Sequence, residues 1–480
     1  MHLKDDHRMP FFIALLSFAF SSFIGLAILI SNPSFYHGLG ITADPDAVHY
    51  WQIAVNIVRN SAFSRSVAEP FIPDLIRVPM YPLFLSMFAF FSLPIVWIFI
   101  SQVVLYAVSC AILYYTVLNI SSSTRVAAVS AVFMAMNASA MLNSFKLLTE
   151  IPFLFLFVAY LYCFVLAFKT GHNKYHIFSV LLIGLMTLTK PVAQYLIFLH
   201  LFLFIIFNLR FSTVNLAKLS GIFFLCYLLV VGPWIIRNIH TFSIPRVSVI
   251  DTHNFIYYIG ATGYIEKESI SLHRAYDRIA EDFNIPSYPV LQNLFIYNLT
   301  FPVESYKALY NQLDGVVKWN VVRKYPGHLL IGIIKGFLKS HLSHNVNEFG
   351  NELIAKPWIS SGTVPTSGFV SKISNIFNLN GIANISMFIY QYAYMIILYI
   401  LAAIGLYSIN SGSMKPVFKF GLIAILLYSY LNIIGAGIEA SQRFRMMSEI
   451  LYYIFAGFGF EYLFHRTNAA LTSNEPVIGS

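Results

Sequence analysis

Charged residues are scarce in this chain: Asp, Glu, Lys and Arg make up only 11% of its 480 residues, whereas 58% are hydrophobic. Soluble domains carry roughly a quarter of charged residues, so this composition excludes an ordinary soluble protein. It predicts an all-α, polytopic transmembrane protein.

Cysteines and phosphate-binding loops are also rare or missing. Cys110, Cys163 and Cys226 all lie inside apolar runs, which excludes a disulfide framework and a thiolate metal site. No glycine-rich loop lies between a strand pattern and a helix pattern, so a soluble nucleotide-binding domain is not indicated. The formal net charge of +9 fits contact with anionic membrane lipid, and no nucleic-acid partner is expected.

About ten apolar segments are candidate membrane spans. They cover residues 9–30, 95–119, 126–142, 151–168, 177–188, 192–208, 219–236, 385–409, 417–437 and 450–464. The first is too long for a signal peptide and is predicted to be retained. Segment 81–91 opens beside two prolines and is predicted to be interfacial or re-entrant. The chain thus divides into an N-terminal transmembrane catalytic module (1–237, with a first external loop at 31–94), an external segment (238–383), C-terminal helices (384–464) and a tail (465–480).

Basic residues of the short loops and the termini fall on one face of this arrangement: Lys4, Arg8, Lys169, Lys174, Arg210, Lys218, Lys415 and Arg466. The positive-inside rule makes that face, and with it the tail, cytoplasmic. The first loop, the turns at Glu150 and Lys190, the segment 238–383 and the last turn at 438–449 then face the exterior. We expect a multi-pass protein of the cytoplasmic (inner) membrane whose site faces the periplasm or exterior.

Ionisable residues at span ends are functional candidates, because they are costly unless they line a polar cavity or reach the interface. Those on the external face are Asp44, Asp46, Arg77, Glu150, Lys190, Arg237, Arg443 and Arg445. Each also has a structural explanation. Asp46 can cap an amphipathic helix that follows it, Glu150 suits a first helical turn, and the basic residues can snorkel to headgroups. Taken together, they favour a shared external pocket.

The external segment 238–383 is far longer than a connector. It contains an amphipathic stretch at 328–341 that is too short and too basic to span. Helices lying on the membrane and a cap over the pocket are expected there.

Several motifs, taken in order, resemble the C-type polytopic glycosyltransferases, which include protein O-mannosyltransferases and the aminoarabinose transferase of lipid A. They are Asp46-x-x-x-Tyr50, Arg77-x-Pro-x-Tyr-Pro82, Thr149-Glu150, Leu188-Thr-Lys-Pro191, Gly232-Pro-Trp-Ile-Ile-Arg-Asn238 and Arg443-Phe-Arg445. The chain departs from the family at Lys190, where arginine is usual, and at Met446-Met447, where a proline is expected. The external segment is largely unmatched.

The resemblance implies a polyprenyl-phosphate sugar donor and transfer outside the membrane to a hydroxyl of a glycan, lipid or protein acceptor. Asp46 is then the general base of an inverting reaction, and Glu150 a second catalytic carboxylate that holds substrate. The expected substrate contacts are Asp44, Tyr50, Arg77, Tyr81, Lys190, Arg237, Arg443 and Arg445, with the basic residues at the phosphate.

Asp44-Pro-Asp46 is also an Asp-x-Asp pattern with His49 nearby, so a divalent cation is possible. No metal or cofactor is expected to be obligatory, because nucleotide sugars are cytoplasmic and this loop is predicted outside. Two other functions stay open. A lipid-linked oligosaccharide polymerase or ligase would use a lipid diphosphate, and a sugar-lipid flippase or transporter would show charges near the bilayer midplane and two related halves.

Overall fold

The computed structural model describes residues 8–31, 45–285, 310–311, 313–342, 382–411, 414–437, 440 and 442–473. Across these ranges the chain is helical apart from its turns and an isolated antiparallel bridge between Ser64 and Pro73. The predicted all-α polytopic class is therefore confirmed. Asp44, and residues 286–309 and 343–381 of the external segment, lie outside the described residues.

The described helices are numbered here in chain order. They are α1 (Arg8–Ser31), α2 (Pro45–Asn60), α3 (Met80–Phe90), α4 (Val96–Ser121), α5 (Thr124–Ala135), α6 (Ala138–Asn143), α7 (Glu150–Thr170), α8 (Asn173–Thr187), α9 (Leu196–Phe207), α10 (Thr213–Phe242), α11 (Ile250–His253), α12 (Ala261–Glu268), α13 (Leu272–Phe283), α14 (Lys318–Lys324), α15 (Pro326–Leu342), α16 (Ile382–Ser411), α17 (Pro416–Ile434) and α18 (Gln442–Ser473). A 3₁₀ helix spans Pro191–Tyr195, and π-helices span Asn254–Gly260 and Leu313–Val317.

Six of the described helices are long and apolar enough to cross a bilayer, namely α1, α4, α7, α10, α16 and α17. The other predicted spans differ for physical reasons. Helix α8 has 15 residues, about 22 Å of helix against a hydrocarbon core of about 30 Å. The 3₁₀ helix at 191–195 shortens α9 to 12 residues, and α18 carries charged residues such as Glu449 and Glu461.

The predicted span 126–142 is wrong as a single helix, because the chain breaks between α5 and α6. Asn137 lies at the break, where its side-chain oxygen accepts the Ala140 backbone N–H at 3.0 Å and caps α6. Its amide nitrogen donates to Glu449 of α18 at 2.7 Å. A polar side chain thus replaces the backbone hydrogen bonds that a continuous helix would make here.

Helices α16 and α18 pack with their backbones in close contact. A Cβ atom at Gly405 would overlap the carbonyl oxygen of Phe455, and one at Gly459 would overlap that of Leu401. Small residues at such crossings let apolar helices approach closely in a membrane. Both helices contribute to the main core, whose other buried side chains come chiefly from α4, α5, α7 and α17.

Helix α2 and the loop 61–79 form the platform that carries the predicted site. Tyr50, Ile53 and Ala54 of α2 are buried, as expected for the apolar face of an amphipathic helix. Asn56 donates two hydrogen bonds of 2.8 Å to the carbonyl groups of Ser64 and Ser66 and so fastens the loop to the helix. Leu75 and Ile76 at the far end of the loop are buried in a second core with side chains of α11–α14.

Candidate active site

A cavity of about 680 Å³ lies where α2, the loop 61–79, the turn after α8, the segment 250–259 and the end of α17 meet. The predicted site residues on its wall are Asp46, Tyr50, Arg77 and Lys190. Much of the remaining lining is apolar, including Val78, Val192 and Leu431. Apolar walls with a few convergent polar groups are typical of small-molecule sites.

Arg77 connects the charged part of the cavity. Its Nη2 donates to Asp46 Oδ1, its Nη1 lies 3.4 Å from the Tyr50 hydroxyl, and its guanidinium carbon lies 5.0 Å from the Tyr50 ring centre. Burial opposes the charge, yet Asp46 raises the pKa of Arg77 above its ordinary value. The Arg77 side chain is 11% exposed and that of Asp46 is 30% exposed. Asp46 is therefore the accessible member of the pair.

His49 joins the same contact, although sequence reasoning named it only beside a possible metal site. Its Nδ1 lies 3.1 Å from Arg77 Nη2. Burial, and after it the charges of Arg77 and Arg65, lower the pKa of His49 to about 3. The ring is thus neutral at physiological pH and can accept a hydrogen from Arg77. Its spacing three residues after Asp46, on one helix face, was the signal available in the sequence.

The loop that carries Arg77 is organised by Asp74. The Asp74 carboxylate accepts the backbone N–H groups of Ile76 at 2.8 Å and Arg77 at 2.7 Å, and it pairs with Arg65. Burial alone would raise the pKa of Asp74, but Arg65 and the Arg77 N–H lower it. Arg237 donates to the Asp74 carbonyl at 2.7 Å. Arg237, a predicted phosphate contact, is not among the residues lining the cavity and instead holds this loop.

Lys190 reaches the cavity from the turn after α8. Because it precedes Pro191, it is disfavoured from the helical region, and it is extended with φ −148° and ψ 113°. Its Nζ lies 3.3 Å from Glu150 Oε1, with side-chain exposures of 21% and 1%. Glu150 is not on the main cavity wall and lines a small adjoining pocket with Lys190. The structure therefore places Glu150 as the counter-ion of Lys190.

Tyr81 supports the cavity from within the protein and does not line it. It is 1% exposed, and its ring packs edge-on against Tyr50 with centroids 5.1 Å apart. Its hydroxyl donates to Gln102 Oε1 at 3.2 Å. Tyr81 thus fixes Tyr50, which in turn contacts Arg77.

Arg443 and Arg445 form the basic turn at the start of the last helix, and the structure describes the side chain of Arg445 alone among the two. Arg445 is 2% exposed and donates to Glu449 at 2.6 Å and to the Ser340 carbonyl. Arg445 thus forms a buried ion pair and does not line the cavity, and its contact with substrate stays a prediction. Arg443 lies at the start of α18, and its side chain, like all of Asp44, falls outside what the structure describes.

The segment 250–259 contributes functional candidates that sequence reasoning missed. Asp251, His253 and Asn254 line the cavity. Burial lowers the pKa of His253 to about 4. The run Asp-Thr-His-Asn at 251–254 was the signal available, but no periodicity linked it to the distant first loop.

No group of three His, Cys, Asp or Glu residues within the described ranges is arranged to hold a metal ion. Of the Asp-x-Asp pattern only Asp46 is described, and its Oδ1 is engaged by the Arg77 guanidinium.

The charges on the cavity wall define what the site can do. Asp46 can accept a proton from a hydroxyl group. Arg77 and Lys190 can bind an anionic leaving group, with the guanidinium suited to phosphate oxygens.

Part of this chain is similar to a known protein family. Residues 76–236 match the family model described as dolichyl-phosphate-mannose-protein mannosyltransferase. No curated protein sequence gives a significant match. The apo oligosaccharyltransferase of Archaeoglobus fulgidus is similar in structure, with a TM-score of 0.47 and 14% identity over 96% of this chain. The match covers 52% of that protein, so this chain spans about half its length. The predicted resemblance to C-type membrane glycosyltransferases is confirmed.

Proposed function

We propose that this chain, a C-type membrane glycosyltransferase by its resemblance, moves a sugar from a polyprenyl-phosphate donor to an acceptor hydroxyl with inversion. Asp46 is the general base, and Arg77 and Lys190 bind the departing phosphate. The observation that carries the proposal is that the carboxylate of Asp46 and the cations of Arg77 and Lys190 line a single, largely apolar cavity.

The reaction requires little beyond these groups. The acceptor oxygen attacks the anomeric carbon as Asp46 takes its proton, and the bond from that carbon to the phosphate oxygen breaks on the opposite face. The phosphate leaves as an anion, which Arg77 and Lys190 stabilise. Arg77 also orients Asp46 through their ion pair, so one guanidinium serves base and leaving group.

The apolar lining supports a lipid-linked donor. Val78, Val192 and Leu431 line the same cavity as Arg77 and Lys190. A polyprenyl phosphate has the matching distribution of an apolar chain and an anionic head. Glu150 assists indirectly, since its contact with Lys190 fixes that ammonium group beside the cavity.

The test is sugar transfer by the purified full-length protein in detergent, from a radiolabelled polyprenyl-phosphate sugar to acceptor extracts. Asp46→Asn keeps the size of the side chain and removes its charge, so we expect turnover to fall about 100-fold or more. Asp277→Asn is the matched control, because Asp277 is an exposed carboxylate on α13 that pairs with Arg274. An Asp46→Asn variant with wild-type turnover would exclude Asp46 as the base.

Further arms separate the competing functions. NMR of the product should show the anomeric configuration inverted relative to the donor, and retention would refute the single-displacement mechanism. Turnover only with oligosaccharide diphosphate lipids would indicate a polymerase or ligase. Donor movement across vesicles without transfer would indicate a flippase. Transfer in the presence and absence of chelator tests for a divalent cation.

The outward orientation of the site is part of the proposal. It is tested by labelling single cysteines with a membrane-impermeant maleimide, after the native cysteines are replaced by alanine. Val67 lies in the loop 61–79 and is 77% exposed, whereas His172 lies in the exposed turn between α7 and α8. In sealed right-side-out vesicles, Val67→Cys should react and His172→Cys should react only after permeabilisation. The reverse labelling pattern would show that the site faces the cytoplasm.

A further inference from the structure

One wall of the cavity is a single helical face of the external segment. Asp251, Asn254, Phe255, Tyr258 and Ile259 all line it, and their spacing of three and four residues is that of neighbours on one side of a helix. The backbone changes there from α11 to the π-helix Asn254–Gly260. Short π-helical turns are rare and often occur at functional sites.

Asp251 is the charged group of this wall, and two cations fix it. Its Oδ2 lies 3.0 Å from Arg246 Nη1 and 3.5 Å from Lys318 Nζ. The same cations contact Asp314, at 2.7 Å from Arg246 and 3.2 Å from Lys318. Two carboxylates and two cations thus balance in charge. The Asp251 side chain is held in place by these ion pairs. Because they already neutralise its charge, a further cation would gain little binding energy from it.

The other oxygen of Asp251 has a different environment. Its Oδ1 is buried and has no hydrogen-bond partner among the residues that the structure describes. Leaving a carboxylate oxygen buried without a donor is unfavourable. Oδ1 itself has almost no accessible surface, but the Asp251 side chain as a whole is 23% exposed, so a hydroxyl group in the cavity can donate to the carboxylate at Oδ2. The amide of Asn254 lies one turn away on the same face.

We propose that the face formed by Asp251, Asn254, Phe255 and Tyr258 binds the hydroxyl groups of a sugar ring. Asp251 and Asn254 hydrogen-bond the hydroxyls, and the aromatic rings cover an apolar face of the ring. This inference rests on the proposed function and identifies the surface of that site that recognises carbohydrate. The ring belongs either to the donor or to the acceptor.

The experiment compares binding of two lipids to the full-length protein in detergent: polyprenyl phosphate carrying the sugar, and the same lipid phosphate without it. For wild type we expect tighter binding of the sugar-bearing lipid. Asp251→Ala should lower the preference for the sugar-bearing lipid over the sugar-free lipid about tenfold or more. The ratio of the two affinities corrects for Arg246 and Lys318, which this variant leaves with one carboxylate between them. Asn254→Ala, which disturbs no ion pair in the described structure, should change this ratio in the same direction.

Asp282→Ala is the matched control, because Asp282 is a paired carboxylate of the same segment that does not line the cavity. If Asp251→Ala and Asn254→Ala instead raise only the KM for the acceptor, this face holds the acceptor sugar. If both variants bind and turn over every substrate as wild type does, the inference is overturned. If wild type itself does not distinguish the two lipids and transfers nothing, the proposed donor class fails instead.

Discussion

Arg77 Nη2 lies 3.1 Å from His49 Nδ1 while it also donates to Asp46. Two side chains of one helix therefore hold a buried guanidinium from the same side. Only a neutral imidazole can accept this hydrogen, which agrees with the lowered pKa of His49, about 3. The orientation of Asp46 thus depends on the protonation state of its neighbour.

Protonation of His49 should make the protein less stable in acid. Its ordinary pKa of 6.5 is restored on unfolding, so between about pH 6.5 and pH 3 the unfolded chain binds more protons. Stability should therefore fall as pH falls through this range. His49→Gln keeps a hydrogen-bond acceptor for Arg77. The unfolding free energy of this variant should change less with pH than that of wild type, by on the order of 1 kcal/mol per pH unit. Melting temperatures in detergent from pH 7.5 to pH 5 test this, and equal slopes for the two proteins would contradict it.

Replacing Arg77 by lysine should keep the positive charge but lose the several directed hydrogen bonds that the planar guanidinium donates. One ammonium group cannot contact Asp46, His49 and Tyr50 as the guanidinium does. We expect kcat/KM for sugar transfer to fall about 10- to 100-fold. Arg59→Lys is the control, because Arg59 is exposed at the end of the same helix. Near-normal transfer by Arg77→Lys would mean that charge alone is needed.

A double variant separates the two roles of Lys190. Lys190→Met removes a cation from the cavity and leaves Glu150 buried without it, so both donor binding and stability should fall. Lys190→Met/Glu150→Gln should restore the melting temperature and not the donor KM, which we expect to stay about tenfold or more above wild type. Lys190→Arg should keep transfer, and Lys174→Met, at an exposed position in the first turn of α8, should have no effect. If the double variant recovers transfer, the role of Lys190 is to neutralise Glu150 and not to bind the donor phosphate.

Arg445 and Glu449 should affect stability rather than catalysis. Removing one partner of a buried ion pair leaves an uncompensated charge, so Arg445→Ala should destabilise the protein by about 3–5 kcal/mol. Arg445→Met/Glu449→Gln should recover much of this, because the glutamine still accepts the Asn137 hydrogen bond. Thermal unfolding followed by tryptophan fluorescence measures both. A double variant that folds but has lost sugar transfer would show that Arg445 acts in the site.

The outline of the site was accessible from sequence because its main residues lie within recognisable motifs. Asp46, Tyr50 and Arg77 belong to two motifs close together in the chain, and the proline after Lys190 fixes its turn. Glu150, Tyr81 and Arg237 were also recognised, but the structure gives them supporting contacts behind the cavity wall. Sequence position brings a residue near the site; whether its side chain reaches the cavity depends on packing.

The sequence by itself determined the membrane class, the amphipathic helix at Asp46 and the order of the motifs, since composition, periodicity and local backbone restrictions act within short stretches. Only the tertiary structure decided that Asn137 breaks a predicted span to reach Glu449, that Arg445 is a buried counter-ion, and that Asp251 joins Asp46 at one cavity. Those outcomes depend on contacts between residues far apart in the chain, such as Asn137 with Glu449, 312 positions away, and Arg445 with Ser340, 105 positions away. Burial and charge pairing at such distances arise from the packing of helices, which no local pattern encodes.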